Sequence, residues 1–458
     1  MPVSSTADAE ATPTAGPGQP SVAKVGASAA AMPSEAARAG GTKLFYGWWI
    51  VAAAAGIQLI SGALLGQAFG AYVAVLRADF GWSATSLSAA ASLREMESGI
   101  TGPFQGWMYN RWGARNLARA GLIIFAGGFV LFSRVQTLPQ FLGVFVLMAL
   151  GMSLSGYLTL TSVAVQWFER RRATALALTA AGGAIGGILV RATVALIEAY
   201  GWRTTTLISA VIILVVGLPL SQLIRERPSD MGLRPDGEDA SAPLAERPRS
   251  RHAPPPGTRD FTLGEAVRTR AFWFVGLGHA SALFVVSALN VHLITYLKEG
   301  LGHTLGFAST VALVLPMMFL IGTLLGGPFG DRYSKRWLAV GCMFAHAGAI
   351  AMLANVASTP LILVAAVVHG LAWGLRGPQM AALRADYFGS ESFATIMGVS
   401  NAVIIIGTIS GPIIAGFVYD QTGSYRIGFD ILAALAVAGS AFFILAPAPR
   451  RPSVDTPR

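Results

Sequence analysis

Cysteine is nearly absent from this chain: Cys342 is the only one in 458 residues. A single cysteine forms no intrachain disulfide and no cysteine-type metal site, so the fold needs no oxidising compartment. Charge is scarce as well. Asp, Glu, Lys and Arg make up 12% of the residues, where soluble domains average about 25%. That argues against a soluble enzyme of two or three domains, whose surfaces need more charge. Hydrophobic residues reach 53%, which argues against a disordered chain. The apolar stretches run about 20 residues without alternating, unlike the strands of an outer-membrane barrel. No Walker motif and no catalytic constellation is present, so neither an enzyme nor a bound cofactor or metal is expected. What remains is an all-α membrane protein with many spans.

Twelve apolar segments fit such spans. The first six cover 46–74, 84–108, 117–135, 139–166, 174–198 and 203–224. The second six cover 272–297, 304–329, 336–357, 360–385, 393–419 and 427–446. Residues 1–42, rich in Ala, Pro, Ser, Thr and Gly, read as a disordered cytoplasmic tail. The stretch 225–270 is polar and contains Pro254, Pro255 and Pro256, so it reads as a solvated linker. Its end, Phe261 to Arg270, suits a short interfacial helix. The expected organisation is a six-helix bundle at 43–224, the linker at 225–270, a second bundle at 271–446, and a cytoplasmic tail at 447–458.

Orientation follows from basic residues. With the N-terminus inside, only Arg77, Arg134, Arg203, Lys298 and Arg426 fall in outer loops, of 33 Lys and Arg in all. Both termini are therefore expected in the cytoplasm, with the chain in the inner (plasma) membrane. The formal charge of +10 then reports topology, and no nucleic-acid partner is expected.

Two segments repeat at symmetric places. After the second span stands Gly106-Trp-Met-Tyr-Asn110-Arg111-Trp-Gly113-Ala-Arg115. After the eighth stands Gly327-Pro-Phe-Gly-Asp331-Arg332-Tyr-Ser-Lys335-Arg336. Glycine lets two helices approach closely, and the charges clamp helix ends. With this pair of motifs, residues 43–446 resemble the major facilitator superfamily. The resemblance implies two pseudo-symmetric six-helix bundles, alternating access, and a cavity lined by helices one, four, seven and ten. It makes Gly106, Asn110, Arg111, Arg115, Gly327, Asp331, Arg332 and Arg336 gating residues. Asn110 departs from the family's usual Asp. Further segments resemble the monocarboxylate-transporter-like and oxalate/formate-antiporter-like branch. These are Tyr46-Gly-Trp-Trp-Ile-Val, Trp167-Phe-Glu-Arg-Arg-Arg-Ala, Arg227-Pro-Ser-Asp-Met-Gly-Leu-Arg-Pro and Asp386-Tyr-Phe-Gly389. Spans one, eight and eleven lack the interior basic residues that well-studied members use for carboxylates.

Ionisable groups inside a membrane cost about 2.5–3.5 kcal/mol each, so each is a functional candidate. Span two carries Arg94, Glu95 and Glu97. Arg94 and Glu97 share a helical face, either as a packing ion pair or as a substrate arginine with a titratable partner. Glu97 and Glu95 are the candidate proton carriers. Span ten carries His369, Trp373 and Arg376 along one face. An arginine beside an aromatic ring suits a carboxylate, by a forked hydrogen bond plus stacking; bonding to nearby backbone carbonyls is the competing reading. Tyr157 in span four, and Asn290 and His292 in span seven, complete the candidate substrate set. Arg191, with Glu198 one face-repeat on, Gln58, Gln67, His279 and His346 are weaker. Gly182, Gly183, Gly186 and Gly187 read as a packing face, and Gly407, Gly411 and Pro412 likewise.

These features lead to a monomeric secondary transporter of a small organic anion, a mono- or dicarboxylate, coupled to protons or to anion exchange. The alternative is a proton-coupled exporter of lipophilic compounds, whose cavity needs an acid but not several arginines.

Overall fold

The computed structural model describes residues 44–237, 255, 257–356 and 358–454. The tail at 1–42, the centre of the linker and residues 455–458 lie outside the described residues. Among the described residues ten helices are long and apolar enough to cross a membrane. Two facts raise the number of crossings to the expected twelve. The 51-residue run Arg172–Gln222 is broken at Gly201, whose φ of 76° and ψ of 158° no helix contains. Ala84–Trp112 is 29 residues long, about 44 Å at 1.5 Å per residue. It is long enough to span, and its Arg94, Glu95 and Glu97 lower its hydropathy.

The crossings are α1 (Tyr46–Phe80), α2 (Ala84–Trp112), α3 (Ala114–Phe132), α4 (Leu138–Trp167), α5 (172–200) and α6 (202–222). The second set is α7 (Arg270–Gly300), α8 (Leu305–Arg332), α9 (Lys335–Asn355), α10 (Thr359–Phe388), α11 (Phe393–Thr422) and α12 (Tyr425–Ile444). Local chemistry sets their ends. Ser83, Thr269 and Thr304 cap α2, α7 and α8 by accepting a bond from a backbone N–H three residues on. Gly81 at φ 64° stops α1, six residues past the expected end. The linker closes with the short helix Leu263–Val267, inside the stretch where an interfacial helix was expected.

Lipid tails are as apolar as leucine, so helices in a bilayer associate through close packing. The glycine stripes do this. A Cβ on Gly182 would stand 2.0 Å from the Ala55 carbonyl oxygen, and one on Gly186 would stand 2.6 Å from that of Leu59. This is the α1–α5 crossing. Its counterpart is α7–α11, where Gly407 and Gly411 lie against the carbonyls of Ala280 and Phe284. Two apolar cores form, one centred on α1–α6 and the other on 261–446. The halves meet where α2 crosses α11 and α5 crosses α8. Each is the second helix of one half on the fifth of the other, so the pseudo-symmetry extends to the seam. Gly102 and Gly398 touch backbone to backbone at the first crossing, and Gly327 meets Thr174 at the second.

Candidate functional site

Close packing fixes α10 first. Gly374 presses on the Phe319 carbonyl of α8, and Gly322 of α8 presses on that of Leu371. Gln379 locks the pair by donating to the Gly326 carbonyl at 2.5 Å. On this rigid helix Arg376 is fully buried, and its Nε, Nη1 and Nη2 have no hydrogen-bond partner. The competing expectation, bonding to nearby carbonyls, is not what the side chain does. Burying three unpaired donors and a charge is costly. Such a group persists where something else is meant to meet it.

What surrounds Arg376 comes from both halves. It shares its electrostatic environment with Tyr157 of α4, His279 of α7 and Cys342 of α9. α4 is interrupted at Gly156 (φ −100°, ψ −143°), and Tyr157 begins a new 11-residue half-helix. Tyr157 is deep in the bundle yet 36% exposed, and His279 is half-buried. Both therefore border an internal space. A second arginine joins them. Arg384 is 1% exposed and faces Tyr157 and His279 as well.

Other expected members stand elsewhere. Trp373 does not stack on Arg376; its ring packs on Phe319 at 4.5 Å, because the α8 contact claims that side of α10. His369 faces α9, where its Nδ1 lies 3.2 Å from Nδ1 of His346. It supports α10 from behind rather than lining the space. Asn290 is exposed on the His279 face of α7, about three turns further on. His292 is satisfied within its own half, with Nε2 3.0 Å from the Pro412 carbonyl and its ring 5.5 Å from that of Tyr425. Arg94 pairs with Glu95 at 2.9 Å, not with Glu97. Glu97 instead accepts from the Thr101 hydroxyl at 2.8 Å. The helical face predicted the wrong partner, since a long arginine swings readily to its neighbour. Arg191 and Glu198 are both exposed, and among the described residues no ion pair joins them.

The repeated motifs build the end of the bundle where α2 and α8 finish. Asp331 accepts from the backbone N–H of Ala173 (2.8 Å) and Thr174 (3.2 Å) and from the Thr174 hydroxyl (2.6 Å). It thereby caps α5 of the other half. Beside it, Asp386 binds both Arg172 (2.9 Å) and Lys335 (2.7 Å), all three buried. In the first half Asn110 donates one bond to the Thr395 hydroxyl at 2.8 Å. Gln166 donates to the Ser390 carbonyl at 2.6 Å. Gly106 and Gly327 sit at the matching close contacts, on Thr395 and Thr174. Arg115 ties α3 to the Ile224 carbonyl, Arg336 lies 5.0 Å from the Trp337 ring, and Arg111 and Arg332 are exposed. A cavity of 350 Å³ opens at this end, lined by Arg172, Asp260 and Arg451 among others. Its arginines differ from Arg376 in being paired, Arg172 with Asp386 and Arg451 with Asp260.

Sequence reasoning missed Arg384 and underweighted His279. Arg384 lies two residues before Asp386 and reads as a charge at a helix end. The available signal was its spacing of eight from Arg376, two turns on and within a quarter turn of the same direction.

Comparison with known proteins agrees with this geometry. The family model described as Major Facilitator Superfamily matches residues 54–324 and 275–458. Human monocarboxylate transporter 11 is 27% identical over 419 residues, covering 88% of this chain and 83% of that protein. The gentisate transporter of Corynebacterium glutamicum is 26% identical, covering 76% of each chain. Among solved structures, the transporter FucP in the outward conformation superposes with a TM-score of 0.67 at 18% identity. That match covers 87% of this chain and 99% of FucP. The matched relatives are carriers, as expected, and not enzymes. With two matched motifs, twelve crossings and a family match over 54–458, the chain belongs to the major facilitator superfamily.

Proposed function

We propose that this chain carries a small organic anion, a mono- or dicarboxylate, across the inner membrane by alternating access. The observation that carries the reading is Arg376, buried with all three guanidinium nitrogens unpartnered. A carboxylate supplies the missing acceptor through a forked pair of bonds. The names of the relatives, a monocarboxylate and a gentisate transporter, support the same class. A carrier of neutral lipophilic compounds has no use for an unpaired buried cation, which weighs against the exporter alternative.

The basic excess places the motif end and both termini in the cytoplasm. Every hydrogen bond and ion pair between the halves, among the described residues, lies at that end. On this reading the chain stands closed to the cytoplasm. An anion entering against an inside-negative potential costs about 2.3 kcal/mol per charge per 100 mV. Proton symport or anion exchange removes that cost. Glu95 and Glu97 of α2 are the candidate proton carriers. Glu95 shares the face of Gly99, Gly102 and Gly106, which meets α11 of the other half, and is paired with Arg94, whereas Glu97 accepts from the Thr101 hydroxyl. The carrier functions as a monomer in the bilayer, with 43–224 and 271–446 as its two moving bundles.

The test is uptake of a panel of carboxylates into proteoliposomes. Arg376→Gln abolishes uptake with folding near normal, and Arg376→Lys weakens it about tenfold, which is about 1.4 kcal/mol. Uptake that survives Arg376→Gln sinks the assignment and makes Arg94 the next candidate.

A further inference from the structure

We propose that the site is built for a dianion, with one acidic group on Arg376 and the second on Arg384. This deepens the anion-carrier reading and rests on it. Arg384 is held but not satisfied. Its Nε donates to the Ser400 hydroxyl at 3.0 Å and its Nη1 to the Met380 carbonyl at 2.9 Å, with His279 Nδ1 at 3.5 Å. Its Nη2 is buried without a partner, as are all three nitrogens of Arg376. Ser400 and the Met380 carbonyl fix the guanidinium and leave one edge for a ligand.

Charge decides between one anionic group and two. The two guanidiniums lie in each other's field. The ionisable groups that share it are Tyr157, His279, His346, His369 and Cys342, none of them a carboxylate. Neither arginine makes an ion pair among the described residues. The pair is therefore a buried double positive charge without a counter-ion, and a monoanion leaves half of it uncompensated. A substrate with two acidic groups closes the balance.

Placement agrees. Arg376 and Arg384 are eight residues apart on α10, about 12 Å along its axis. Beside both arginines the broken α4 presents the start of the half-helix at Tyr157, where N–H groups and the helix dipole favour negative charge. Tyr157 and His279 border the space between the halves there. A short diacid spans from one guanidinium to the other, with the Tyr157 hydroxyl as a donor alongside.

The experiment needs no variant at first. Binding of succinate, glutarate and phthalate to the purified full chain is compared with that of their monomethyl esters, which match in length and carry one charge. At least one diacid is expected to bind ten or more times tighter than its ester. Arg384→Gln then removes that advantage, weakening the diacid about tenfold and its ester less than twofold; Arg384→Lys recovers part of it. Esters that bind as tightly as the diacids overturn the dianion, and so does an Arg384→Gln that weakens both alike, while anion transport stands. If no diacid or ester binds and uptake ignores Arg376→Gln, the anion reading itself falls and takes this inference with it.

Discussion

The two clamps at the motif end occupy equivalent places and are built from different chemistry. In the second half the chain places Asp331, Lys335 and Asp386. At the corresponding steps of the first half, 221 residues earlier, it places Asn110, Ala114 and Val165, with Gln166 next to the last. The charged clamp makes three bonds to the start of α5 and a buried three-member ion cluster with Arg172. The neutral clamp makes one bond to Thr395 and one to the Ser390 carbonyl. The glycine contacts beneath are alike in both. Backbone symmetry thus survives where charge symmetry is lost. Glycine packing sets where the halves meet, and the polar clamps set how firmly they hold.

The sharpest way to break that comparison is at its most buried member. Asp386→Asn leaves Arg172 and Lys335 with one fewer counter-charge in a buried setting, a change worth about 3–5 kcal/mol. Gln166→Ala removes one neutral hydrogen bond, about 0.5–1.5 kcal/mol. Melting in detergent should therefore fall by several degrees for the first and barely for the second. Equal losses would mean that the clamps are energetically alike despite their charges.

The next effect is on closure itself. Ala177 of α5 lies against Gly327 under the charged clamp. Ala177→Cys, in a Cys342→Ser background, reports opening there by its rate of thiol labelling. Asp331→Asn exchanges a charged cap for a weaker neutral one, and labelling should quicken roughly tenfold, or about 1.4 kcal/mol. An unchanged rate would separate Asp331 from gating.

A smaller effect tests whether the neutral clamp can be charged. Asn110→Asp places a carboxylate beside Thr395 near the start of α11, where the helix dipole favours it by about 0.3–1 kcal/mol. The same labelling rate should fall roughly twofold to fivefold. A rise would show that charge at position 110 opposes closure.

Much of this was legible in the sequence, for reasons particular residues make plain. Apolar runs gave the crossings, and the paired motifs gave the symmetry. The glycines at 182, 186, 407 and 411 announced backbone contact because nothing larger fits between crossing helices. Arg376 was legible as a charge in the middle of α10. Its emptiness of partners was not, since that depends on what α4, α7 and α9 bring to it. Arg384 was hidden by its nearness to Asp386, because sequence cannot tell a charge snorkelling at a helix end from one turned inward. The His346–His369 contact and the Arg94–Glu95 pair required the positions of neighbouring helices and the swing of a side chain. A helical wheel carries neither.

The halves also differ at their entrances, and there the expected effect is smallest. α1 begins at Tyr46 after Phe45, without a side-chain cap. α7 is preceded by the helix Leu263–Val267, where Thr262 and Glu265 cap one another reciprocally. Arg259 grips the Glu265 carboxylate with both Nη atoms, at 2.9 and 2.7 Å. Those bonds, with the Thr262 N–H, hold the Glu265 carboxyl down to about 2 from its ordinary 4.5. A carboxyl depressed by folding stabilises the folded state above its unfolded value, and the contribution is lost as pH falls through the folded one. The anchor is therefore complete above about pH 4.5 and gone near pH 2. Hydrogen exchange over 257–269 should accelerate as pH is lowered through that window, after correction for intrinsic rates, while exchange at the start of α1 should not follow it. Glu265→Gln should leave the segment loosened at every pH and remove the slope. A slope that persists in the variant would show that protonation of Glu265 is not what releases the segment.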